Sequence, residues 1–151
     1  MIYADSSVLV SLYVPERHSP AARSVVRRAG RVPFTILHQL EISNAFEMLF
    51  GRRLISRAEC SAVQAQLQDD LESGRLVFTS LDMDRVFADA CELSHRHTTK
   101  LLARSLDLLH VASAHLSRCE AFVSADDRQL AVARASGLSV VDIKRRRRRN
   151  G

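Results

Sequence analysis

Apolar residues along this chain fall into short runs of a few residues and longer stretches with helical spacing, and the two patterns take turns from end to end. Ile2 and Tyr3 lead the first run, of the kind a buried parallel strand carries, and it stops at Asp5. Val8 to Val14 then reads as a short helix that must end by Pro15, because the residue before a proline avoids helical angles. A second helix is predicted from Ser19 to Arg28, with Pro20 in its first turn and Gly30 closing it. Val32 to Ile36 is the next strand, and Pro33, lacking an amide hydrogen, puts it at a strand start or a sheet edge. A long helix begins near His38, where Leu40, Phe46, Leu49 and Phe50 suit helical rather than alternating spacing. Glu41 lies in its first turn.

Ser56-Arg57-Ala58-Glu59 has the form of a capping box and opens a helix through Leu71, ended by Gly74. Leu76 to Thr79 is a third strand, and Asp82 to His97 a helix covering the sheet with Val86, Ala90 and Leu93. The most apolar helix runs from Ser105 to Leu116 and is expected to be buried, with Asp107 embedded in it. Ala121 to Ser124 is a fourth strand leading to Asp126 and Asp127, a further helix reaches Ala135, and Leu138 to Val141 is the last strand. Alternating strands and helices argue for a three-layer α/β fold: a central, mostly parallel sheet flanked by helices. At 151 residues one domain is expected, residues 1–143, followed by a basic tail, residues 144–151.

Composition sharpens this picture little, with 46% hydrophobic residues, only 5% aromatic and no Trp giving an aliphatic core. No apolar stretch approaches the roughly 18 residues that span a bilayer, and Asp5 stands where a signal peptide would be apolar. The expectation is a cytoplasmic protein with no membrane contact. Cys60, Cys91 and Cys119 are odd in number and far apart, and are read as reduced structural residues rather than zinc ligands. Charge changes more. The net +5 comes from the tail, where Lys144 and Arg145 to Arg149 supply six positives and leave 16 basic against 17 acidic residues elsewhere. The body is nearly neutral and is no basic platform, whereas the tail, with Lys144, Arg145 and Arg146, is either a solvated end or a salt-sensitive contact for RNA phosphates. Arg104 is a further candidate for guiding RNA.

The candidate chemistry lies in four acids. An ionised Asp107 among leucines costs several kcal/mol unless something pairs with it. Each acid also has a plain reading as a helix cap or first-turn charge. Yet Asp5 and Asp126 sit at strand ends, Glu41 and Asp107 on first turns of helices beside the same sheet edge, and ligands bind outside the carboxyl ends of strands in such folds. Clustered carboxylates repel, and protons or cations must relieve them. Hard oxygen donors in number suit Mg²⁺ or Mn²⁺, ions that clamp a scissile phosphate and activate a water. A zinc site is disfavoured because His95 and His97 are two apart, off one helix face. His110 is expected to be a core residue supporting Asp107, and His38 to face solvent.

These residues resemble the PIN domain ribonucleases. Asp5-Ser6-Ser7 is similar to that family's opening motif, Glu41 with Asn44 and Ala45 to its second, Arg104-Ser105-Leu106-Asp107-Leu108-Leu109-His110-Val111-Ala112 to its third, and Phe122-Val123-Ser124-Ala125-Asp126 to its strand-end block. The last two blocks are specific, and the likeness spans Ile2 to Val141. Family members carry Thr where Ser124 stands, which keeps the hydroxyl, and Asp127 falls outside the motif and is read as solvated or capping. By length and pattern the chain most resembles the VapC-type toxins. The resemblance implies a metal-dependent endoribonuclease with Asp5, Glu41, Asp107 and Asp126 binding Mg²⁺ or Mn²⁺. It implies that Ser7, Asn44, Ser124 and His110 orient those acids, and that the chain has an antitoxin partner and forms a homodimer. Two other readings remain: a non-catalytic RNA-binding module using the tail, and a phosphoryl-transfer domain with Asp5 as nucleophile. The latter would want an acid where Ser7 stands.

Overall fold

The computed structural model describes residues 1–144. Its elements are β1 (Ile2–Ala4), α1 (Ser6–Tyr13), α2 (Ser19–Ala29), β2 (Val32–Phe34), α3 (Ile36–Gly51), α4 (Arg57–Glu72), β3 (Leu76–Phe78), α5 (Met83–Leu101), α6 (Ser105–Leu116), β4 (Ala121–Ser124), α7 (Asp127–Ala135) and β5 (Ser139–Asp142). Every strand pair is parallel: β1 runs beside β4 with Tyr3 opposite Phe122, β4 beside β5 with Phe122 opposite Val140, and β2 beside β3 with Pro33 opposite Val77. Since β1 also touches β2, the strands lie in the order β3, β2, β1, β4, β5. Successive strand residues point to opposite faces. Ala4 and Val123 face a core with Val8, Leu9, Ile42 and Phe46 of α1 and α3, while Tyr3 and Phe122 face a second core with Val86, Val111 and Leu130 of α5, α6 and α7. This is the α/β layering expected from the sequence.

The sheet has a seam between β1 and β2, which touch without a ladder. Val32 N–H and Phe34 C=O are used toward β3, so Pro33 faces β1 with no amide to give. His38 fills the gap. Its Nδ1 accepts from the Thr35 amide at 2.9 Å, which leaves the proton on Nε2, and Nε2 donates to the Ala4 carbonyl at 2.9 Å. The ring is completely buried, against the solvent-facing position expected for it. Burial, then the nearby His110, push its pKa down to about 3, so it stays neutral.

Local signals place most element ends. Ser56 Oγ accepts from the Glu59 amide at 3.1 Å while Glu59 reaches back to the Ser56 amide at 2.7 Å, the capping box of α4. α1 begins at Ser6 rather than Val8 because Asp5 caps it. β2 stops at Phe34 because Thr35 already caps α3. α5 continues past His97 until Leu102, at φ 52°, ends it in the left-handed region.

Candidate metal centre

The order of strands reverses between β1 and β4, and the crevice outside their carboxyl ends is where an open α/β sheet binds ligands. Asp5 directly follows β1, and Asp126 follows β4 by two residues. Both cap the next helix with one oxygen and bond a side chain with the other. Asp5 Oδ1 accepts from the Val8 amide and Ser7 Oγ, each at 2.8 Å, while Oδ2 accepts from Ser124 Oγ. Asp126 Oδ1 accepts from the Arg128 amide at 2.8 Å and the Gln129 amide at 3.3 Å, while Oδ2 accepts from Arg104. Ser124 joins the two, since its oxygen also accepts from the Asp126 amide at 2.8 Å. Asp5 is 2% exposed, and burial raises its pKa against the opposing effect of the Ser124, Val8 and Ser7 bonds. The cap reading and the cluster reading of these aspartates are therefore compatible.

Glu41 enters from the first turns of α3, its side chain 28% exposed. Ser6 Oγ donates to its Oε1 at 3.3 Å, and His110 Nε2 donates to the same oxygen. His110, 1% exposed, is fixed from behind by the Tyr3 hydroxyl at 2.9 Å from Nδ1. In the neutral ring that hydroxyl donates to Nδ1, which fixes the proton on Nε2. Burial holds the Tyr3 hydroxyl protonated by raising its pKa. His110 thus supports Glu41 rather than Asp107, because its ring faces α3 across the crevice. Ser6 and Tyr3 are contacts the sequence reading did not single out. Their only signal is position, Tyr3 two residues before Asp5 and Ser6 directly after it.

Asp107 is 1% exposed on the first turn of α6. Its Oδ2 accepts from the Arg104 amide at 2.9 Å and Arg104 Nε at 3.1 Å, and its Oδ1 from Arg104 Nη2 at 3.1 Å. Burial works to raise its pKa, and the Arg104 bonds and charge together overcome it, so Asp107 stays ionised below the usual carboxylate range. The same Nη2 reaches Asp126 Oδ2 at 2.7 Å. Arg104, a candidate RNA contact from the sequence, is thus engaged by two of the four acids.

One hydrogen-bonded network now connects Asp5, Ser124, Asp126, Arg104 and Asp107, with Glu41 beside it through Ser6 and His110. Asn44 stands apart: it is exposed and donates to Met48 Sδ at 3.5 Å, bonded to none of the four acids among the described residues. Lys144 Nζ pairs with Asp127 Oδ1 at 2.6 Å, and Arg145 and Arg146 lie outside the described residues. Among the described residues no three His, Cys, Asp or Glu side chains stand close enough to grip a metal ion as they are. The donor chemistry nonetheless fits Mg²⁺ or Mn²⁺. It consists of carboxylate oxygens in excess over one guanidinium, and Gln129 Oε1, in the residue whose backbone N–H bonds Asp126, is buried with no partner among the described residues.

The fold and this edge define an α/β protein with an acidic crevice at the sheet's switch point. The sequence model of the PIN domain matches residues 2–135, and the chain belongs to the PIN domain family. A comparison with proteins of curated function finds no match. Among solved structures it shares its fold with FitAcB from Neisseria gonorrhoeae at 14% identity and TM-score 0.64, covering 97% of this chain and 100% of that one. It likewise resembles FitAB bound to an IR36 DNA fragment, at 15% identity and TM-score 0.70 over 99% of this chain and 100% of that one. VapBC2 from Rickettsia felis, bound to a DNA fragment from its promoter, matches at 14% identity and TM-score 0.60 over 94% and 98%. No helix among the described residues is long and apolar enough to cross a membrane.

Proposed function

We propose that this protein is a metal-dependent endoribonuclease, the toxin of a toxin–antitoxin pair acting in the cytoplasm. The observation that carries this reading is the hydrogen-bonded network that links Asp5, Asp126 and Asp107 through Ser124 and Arg104 at the switch point of a PIN domain. Asp5, Glu41, Asp107 and Asp126 are the residues that would hold Mg²⁺ or Mn²⁺. When bound, such an ion supplies positive charge to a scissile phosphate and acidifies a water.

The chain's own residues would do the rest. Ser7 and Ser124 fix the two oxygens of Asp5, and His110, held by Tyr3, fixes Glu41. Arg104 and Lys144 would meet RNA phosphate.

An antitoxin fits beside the crevice. Ser6, Ser7 and Glu41 border a cavity of about 490 Å³ whose other walls include Val10, Val14, Ala45, Leu49 and Ile143, a largely apolar trough with Glu41 on its edge. An amphipathic segment carrying a basic residue would fill the trough and neutralise the acids. Exposed Ile36 and Leu40 of α3, with Leu102 and Leu106 around the start of α6, offer apolar surface for a homodimer.

Incubating the purified chain with total RNA tests the activity. Cutting at defined ends with Mg²⁺ or Mn²⁺, lost in EDTA and in Asp107→Asn, is expected; metal-independent cutting would overturn the mechanism. RNA binding without any cutting would instead favour a non-catalytic module.

A further inference from the structure

Among the described residues, the only guanidinium or ammonium bonded to the four acids belongs to Arg104. Its Nε and Nη2 lie 3.1 Å from Asp107 oxygens, and the same Nη2 is 2.7 Å from Asp126. One planar fork therefore spans two carboxylates that arrive on different elements, the first turn of α6 and the cap of α7. Without it, those acids would repel one another across the crevice.

Two features separate the side chain from its backbone. The Arg104 amide is tied to Asp107 Oδ2 at 2.9 Å and anchors the start of α6, whereas the side chain is 58% exposed. The guanidinium can swing into solvent while the main chain stays in place.

We propose that Arg104 is an internal counter-cation that bridges Asp107 and Asp126 in the metal-free protein. A divalent ion must displace its guanidinium to bind, which frees that group at the crevice mouth for RNA phosphate. This rests on the metal-binding reading above. A divalent ion outcompetes one monovalent group for two carboxylates. The arginine is tethered, however, so its effective concentration at the acids is high and it lowers the apparent metal affinity. Since exposed ion pairs are individually weak, the competition is worth a modest factor rather than orders of magnitude.

The test is Mn²⁺ binding to the full chain without RNA, read from the electron paramagnetic resonance of free Mn²⁺, in the wild type, Arg104→Gln and Arg104→Lys. Arg104→Gln is expected to bind Mn²⁺ roughly three- to tenfold more tightly than wild type. Arg104→Lys should fall between, because an ammonium keeps the charge but not the fork. In EDTA, Arg104→Gln should melt below wild type, and Mn²⁺ should raise its Tm by more. A folded Arg104→Gln that binds Mn²⁺ no more tightly than wild type overturns the proposal and leaves the metal site standing. Should that variant fail to fold, Arg104→Lys decides alone: tighter binding than wild type supports the proposal, equal or weaker binding overturns it. If no form binds Mn²⁺, the metal reading falls and this inference falls with it.

Discussion

Two carboxylate sites lie at opposite ends of the sheet, and they are built on different charge balances. At the amino end Asp70 is paired one to one: Tyr13 donates to it at 2.8 Å and Arg75 forms an ion pair with it. Burial, then the neighbouring Asp70, keeps the Tyr13 hydroxyl protonated by raising its pKa. At the carboxyl edge lie acids from four elements, and the one arginine among them pairs with two, Asp107 and Asp126. A balanced pair fastens α1 to α4 and β3. An unbalanced cluster keeps a residual demand for positive charge, which is a binding property rather than a fastening one.

The strongest test of that contrast removes one acid from each end. Asp107→Asn should cut RNA cleavage by about 100- to 1,000-fold, and Asp70→Asn should leave it within about twofold while lowering unfolding stability by roughly 1–3 kcal/mol. Cleavage assays and urea titration of both variants read this directly, and equal loss of activity in the two would erase the distinction.

The seam between the two halves of the sheet gives the next effect in size. His38 titrates near 6.5 when unfolded but at about 3 in the fold, so the unfolded chain takes the proton first and stability falls as pH drops through that window. With the ring fully buried, the loss approaches several kcal/mol, up to about 5, by pH 3. Asp107, held low by Arg104, adds its own loss as pH falls through its folded pKa. Asp5, raised by burial, acts in the opposite sense: its contribution weakens the fold as pH rises from the ordinary carboxylate range to its raised value. His38→Gln should flatten the urea-midpoint profile between pH 6.5 and pH 3.

Metal should separate the ends more gently. Mn²⁺ at about 100 times its Kd is expected to raise Tm by roughly 5–10 °C in wild type and in Asp70→Asn, and much less in Asp126→Asn. Scanning calorimetry with and without EDTA checks this. The smallest change is Tyr13→Phe, which should cost about 1 kcal/mol without altering cleavage; a drop in activity would couple the two ends.

Fold and site are unequally legible in the sequence. The bounds of α6 and β4 match those read from spacing alone, and the α4 capping box is visible in four consecutive residues, because helix caps and strand ends are local signals. The placement of Asp5 and Asp126 after strands, and of Asp107 on a first turn, is legible for the same reason, whereas Glu41 falls in the second turn of α3 because that helix starts at Ile36 rather than near His38. What satisfies each acid is not. Ser6 reaches Glu41 across 35 positions and Tyr3 reaches His110 across 107, contacts only the packed layers create. His38 misleads because its burial depends on Pro33 presenting no amide to β1, a property of strand order. Arg104 is legible as a charge near the crevice, but its engagement by Asp107 and Asp126 requires α6 and α7 to meet.

The division of labour within Asp5 and Asp126 has a consequence for evolution at this edge. Each side chain starts a helix with one oxygen while the other is held by a second partner, Ser124 for Asp5 and Arg104 for Asp126, so its length is fixed twice over. A glutamate, longer by one methylene, would have to abandon one task. Even the most conservative exchange of these acids would therefore unravel a helix start or break the bond to Ser124 or Arg104. The spacing of the two aspartates is handed down by the same amides that begin α1 and α7.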